Sequence, residues 1–215
     1  PQPGTTFADV RRVADTTREL LEDLERFNDV YQARIGDLGA FVRSQGDAHF
    51  DVLASDERPD VSGTIRADDF RSVHALLQRF YRLVIVDTGN NEASPNWLAA
   101  AYSADCLVVP TKWRKDSLIP AARMLETLQE ERSELLQRTV VVATNGPMDS
   151  QEEVRRNAST WFGGHQIVEV PTDPHIAEGG VIEYTKLRPR TKREMLRLAA
   201  QVSRILAGVA AKNPS

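Results

Sequence analysis

The stretch Leu83-Val84-Ile85-Val86-Asp87-Thr88-Gly89-Asn90-Asn91 sets the expectation for the fold. Four unbroken aliphatic residues, with no polar alternation, predict a strand buried on both faces, as in a parallel sheet. The polar turn that follows ends the strand, and two similar runs lie downstream. Cys106-Leu107-Val108-Val109 ends at Pro110, and Thr139-Val140-Val141-Val142-Ala143 ends at Thr144-Asn145-Gly146-Pro147. A further strand, Gln166-Ile167-Val168-Glu169-Val170, ends at Pro171, and Phe50-Asp51-Val52-Leu53-Ala54 is a short candidate upstream. Helical patterns separate them. Phe70, Val73, Leu76, Leu77 and Phe80 form the apolar stripe of a helix over 67–80. Other helices are expected over 95–102, from 118 to about 138, over 151–162 and over 191–210. Two more precede the first strand: one carries Leu20, Leu21, Leu24, Phe27 and Tyr31, the other runs over 35–44. Strands and helices alternating in this way predict an α/β domain with a mostly parallel sheet and flanking helices.

The 215 residues suffice for one domain with a sizeable core. An N-terminal helical segment over 1–47 and an α/β domain over 48–215 are expected to act as one structural unit. Lys plus Arg is 27 against 31 Asp plus Glu, a net charge of -4, which excludes a global basic bias toward nucleic acid. The single cysteine excludes an internal disulfide framework, and Cys106 reads as an inert residue in mid-strand. His49, His74, His165 and His175 show no metal-ligand spacing. No apolar run approaches the roughly 20 residues of a membrane span, and no signal peptide is seen, so a cytoplasmic location is the expectation.

In open α/β sheets ligands bind beyond the carboxyl ends of the strands. Asp87 at such an end can hold hydrated Mg²⁺ against a phosphate, and Gly89 lets the backbone approach a terminal phosphate. A helix-capping role for Asp87 is equally open. Asn145 can read the edge of a purine base or simply form a turn. Pro171 and Asp173 can wall a base slot, or Asp173 can cap a segment starting at Pro174. Charge is unevenly spread. Lys186, Arg188, Arg190, Lys192, Arg193, Arg197 and Arg204 face Glu194 alone between 186 and 204, whereas residues 1–60 hold 13 acids against 7 bases. The basic stretch reads either as a surface for DNA or a partner, or as a solvated face, or as arginines that pair with the acidic N-terminal helices. Trp97 and Trp113, after two strand ends, suit a partner interface or rim packing.

In order and spacing these strand ends resemble the MinD/ParA family of P-loop ATPases, and within it the actinobacterial MinD-like proteins linked to partition and type VII secretion. The similarity runs over about residues 48–208. It rests on Val52-Leu53-Ala54-Ser55-Asp56, Tyr81 to Asn90, Ala104 to Pro110, and Val170-Pro171-Thr172-Asp173-Pro174-His175 followed by Ala177-Glu178-Gly179-Gly180. The resemblance implies a slow ATPase that binds ATP and Mg²⁺ as a homodimer and acts on DNA or a partner complex. Asp87 would organise Mg²⁺ and the attacking water, Gly89 would be the switch glycine, and Asn145, Pro171 and Asp173 would hold adenine. The departure is large, because no Gly-x-x-x-x-Gly-Lys-[Ser/Thr] stretch occurs anywhere in the chain. Either that segment lies before Pro1, which a start other than Met favours, or the chain is a P-loop-less relative that works by binding, as an adaptor or a DNA-binding scaffold.

Overall fold

The computed structural model describes residues 20, 38–39, 41–45, 50–54, 66–89, 94–144, 151–165, 167–179 and 182–212. The elements are β1 (Arg43–Ser44), β2 (Asp51–Val52), α1 (Ala67–Phe80), α2 (Pro95–Ser103), β3 (Leu107–Lys112), α3 (Lys115–Glu131), α4 (Ser133–Leu136), β4 (Thr139–Thr144), α5 (Gln151–Trp161), β5 (Ile167–Val170), α6 (Pro174–Ala177) and α7 (Pro189–Lys212). They fall into two compact units, Pro1–Ala101 and Tyr102–Ser215.

In the first unit, α1 forms where its apolar stripe predicts. Its start is fixed by Asp69, whose carboxylate accepts the Arg66 backbone N–H at 2.7 Å. Val73 and Leu76 pack with Leu20 and Leu38, flanked by Phe41, Val42, Leu53, Leu77, Phe80 and Tyr81. Arg43–Ser44, read from sequence as the end of a helix, pairs instead antiparallel with Asp51–Val52 as a small hairpin. Tyr81 ties this hairpin to the end of α1 by donating its hydroxyl to Asp51 at 2.7 Å. Burial and that carboxylate push the Tyr81 phenol up to about 12.

Leu83–Val86 corrects the sequence reading. The segment forms no ladder, and Leu83, Ile85 and Val86 are 57%, 86% and 41% exposed. An aliphatic run is buried on both faces only where strands flank it and helices cover it. Among the described residues of this unit the strands are the two-residue β1 and β2.

The second unit holds the parallel sheet, in the order β3-β4-β5. Central β4 is buried along nearly its whole length, as unbroken aliphatic character predicts. Val140 and Val142 pack with Val168, Val170 and the α7 residues Met195, Leu198 and Ile205. Alternation turns Val141 and Ala143 to the opposite face. There α3, which carries buried Leu118, Ala122, Leu125 and Leu128, packs on β3 and against α5.

Strand β3 runs past Pro110, where the sequence reading ended it. The Leu107 and Trp113 N–H groups donate to the Arg138 and Thr144 carbonyls at 3.0 Å each, so odd-numbered residues of β3 face β4. Pro110 then points its nitrogen to the outer edge, where a missing donor breaks no ladder bond. Cys106 lies just before β3, half-buried, and burial raises its thiol pKa. The sheet is thus α/β and parallel, with three strands among the described residues.

Candidate functional site

Asp87 and Gly89 belong to the first unit. Asp87 is exposed, and its Oδ1 accepts the Gly89 N–H at 3.1 Å across a turn that Gly89 allows by its φ of 62°. Asn145 lies outside the described residues, as do Asn90 and Asn91. Pro171 and Asp173 follow β5 in the second unit.

Asp173 is 2% exposed. One oxygen accepts the His175 N–H at 3.0 Å and caps α6; the other accepts the Arg188 N–H at 2.8 Å, just before α7. The Arg188 bond and these fixed donors hold the Asp173 carboxyl below the ordinary range, and Thr191 beside it adds to the effect without making a full hydrogen bond. The carboxylate therefore joins the end of β5, α6 and the start of α7 by gripping the chain's own backbone.

Trp97 and Trp113 are both buried, at 6% and 5% exposure. The Arg155 guanidinium lies 4.8 Å from the centre of the Trp113 ring and forks onto Glu169, at 2.6 and 2.7 Å. Sequence reading missed this clamp. Arg155 on α5 and Glu169 on β5 are 14 positions apart, and only the return of the chain from α5 to β5 brings them together. Trp113 Nε1 and Thr111 Oγ1, on the same face of β3, are buried without a partner. Among the described residues no three His, Cys, Asp or Glu side chains come together as a metal site.

The predicted cations divide by role. Lys186 pairs with Glu183 at 2.5 Å in a 3-10 turn. Arg188 gives its backbone to Asp173. Arg190 lies close enough to Glu169 to lower its pKa. Lys192 donates to the Thr185 carbonyl at 2.9 Å and sits 5.3 Å above the Tyr184 ring. Arg197 pairs with Glu194 at 3.1 Å. Lys192, Arg193 and Arg197 are brought together with Arg204 along a shallow groove whose floor is Pro189, Leu196 and Ala200. At roughly 100° per residue this face lies opposite Met195, Leu198 and Ile205, which meet the sheet. Leu196 is 61% exposed. Its signal was in the sequence, since it falls one residue off the core stripe.

The chain is similar to the ESX-1 secretion-associated protein EspI of Mycobacterium tuberculosis, strains CDC 1551 / Oshkosh and ATCC 25618 / H37Rv. Identity is 25% over 207 residues, covering 94% of this chain and 28% of each relative. The chain thus spans little more than a quarter of the length of the curated relatives it matches. No family model matches it, and no solved structure does. The likeness to a secretion-associated protein replaces the MinD/ParA resemblance, and with it the reading of the chain as a partition ATPase. Leu83–Val86, one of the stretches that carried the resemblance, pairs with no strand among the described residues. No helix of the described residues is long and apolar enough to cross a membrane.

Proposed function

We propose that this chain is a non-catalytic binding module, an adaptor that holds a protein partner in type VII secretion. The observation that carries this reading is the likeness to EspI along 94% of the chain. Its side chains agree. Asp173 is spent on backbone capping, and Asp87 faces solvent beside its own Gly89. The cations of α7 instead stand on an open surface around an exposed leucine. Partner binding at that surface is the work we assign to Lys192, Arg193 and Arg197.

Deleting the chain's coding region in its host and following export of type VII substrates tests this. Loss of export, restored equally by the wild-type chain and by Asp87→Ala, is the expected outcome. Unchanged export after deletion, or failure of Asp87→Ala to restore it, overturns the reading.

A further inference from the structure

The outer face of α7 has a composition and layout that point to one kind of occupant. Arg193, Arg197 and Arg204 rise at positions i, i+4 and i+11, so the stripe is about 16 Å long at 1.5 Å per residue. Lys192 flanks it, and Leu196 and Ala200 lie in the middle. The Arg193 side chain makes no hydrogen bond or ion pair among the described residues. Arg204 reaches only the Ala200 carbonyl within its own helix, at 3.2 Å. The one acid on the helix, Glu194, is engaged with Arg197.

An apolar centre ringed by arginines is the layout of a protein interface, in which a buried anchor is surrounded by charge-assisted contacts. A phosphate surface uses cations and leaves a central leucine unexplained. It would also meet a chain of net charge -4. A second copy presenting the same face would set Arg193, Arg197 and Arg204 against their own like charges. We infer that this face receives an amphipathic acidic helix of a partner protein, its apolar residues seated over Leu196 and Ala200 and its carboxylates meeting Arg193, Arg197 and Arg204. Such a helix brings i, i+4 anchors to a groove and carboxylates to the guanidinium forks. The inference rests on the binding-module reading and names the chemistry of the partner.

The test uses the full chain and a fluorescent 20-residue helical peptide with Leu at i, i+4, i+7 and i+11 flanked by Glu, followed by anisotropy. Its controls are a scrambled peptide of the same composition, a DNA duplex and phosphatidylserine vesicles. Saturable binding is expected. Leu196→Ser should weaken it about tenfold, as should scrambling the peptide. The pair Arg193→Glu and Arg197→Glu should abolish it, and a peptide carrying Lys for Glu should then bind that double variant and not the wild type. All substituted side chains lie on the face away from the sheet, and circular dichroism verifies that α7 persists. Absence of peptide binding overturns the inference, as does equal binding of the scrambled peptide. So does displacement of the peptide by duplex or vesicles with no effect of Leu196→Ser, or a dimer of the chain that the double arginine variant dissociates. Peptide binding together with failure of Asp87→Ala to restore export would sink the non-catalytic reading and leave this surface standing.

Discussion

Glu169 shows what a single contact contributes at the residue scale. Arg155 holds its carboxyl below the ordinary glutamate value of 4.5, chiefly through the forked hydrogen bonds. A depressed folded pKa means that the bond adds stability above the unfolded value and loses it as pH falls through the folded one. Both side chains retain solvent access, Arg155 at 38%, so screening limits the contribution to about 1 kcal/mol. Glu169→Gln should therefore lower stability by about that amount at pH 7. The gap to the wild type should close below pH 4.5, as read by urea unfolding across pH. A gap that persists unchanged into acid would assign the effect to packing beneath Trp113. None of this was legible in the sequence, where Glu169 alternates with valines and Arg155 sits in a polar helix.

At the scale of the element, Leu83–Val86 and Thr139–Thr144 carry the same aliphatic signature and meet opposite fates. Ile85 is 86% exposed, whereas Val141 is fully buried between β3 and β5. Ile85→Ser should shift unfolding free energy by less than about 0.5 kcal/mol, the usual range of a surface change. Val141→Ala should cost about 2 kcal/mol, from two lost methyl groups and the cavity left behind. Denaturant midpoints of the two variants decide the matter, and a large loss on Ile85→Ser would mean that the segment is covered in the intact protein. Helices α1, α3 and α7 were legible because each repeats apolar residues at helical spacing over at least fourteen positions. The Arg43–Ser44 strand was not, since two residues carry no period.

Over the whole molecule, the chain divides between Ala101 and Tyr102, a boundary that falls inside α2. The second unit holds the parallel sheet of the described residues and the helices on both of its faces. A fragment of residues 94–215, which keeps α2 whole, should therefore unfold cooperatively with its own thermal midpoint. A non-cooperative melt of that fragment would show that the sheet depends on the first unit. Charge is divided at the same scale, with the cations concentrated on α7 and the acids in residues 1–60, against a net charge of -4.

The sequence by itself determined the strands after residue 100, the long helices and the basic character of α7, because these follow from local period and composition, which need no partner to be expressed. It also offered Asp87, Pro171 and Asp173, polar residues after aliphatic runs, as candidates. Tertiary structure decided which of their open readings holds. Asp173 caps backbone because α6 and α7 converge on it, and Trp113 is buried because α5 brings Arg155 over its ring. Leu83–Val86 stays exposed because burial is a property of neighbours, and Leu196 stands in the open because the sheet takes only one side of its helix.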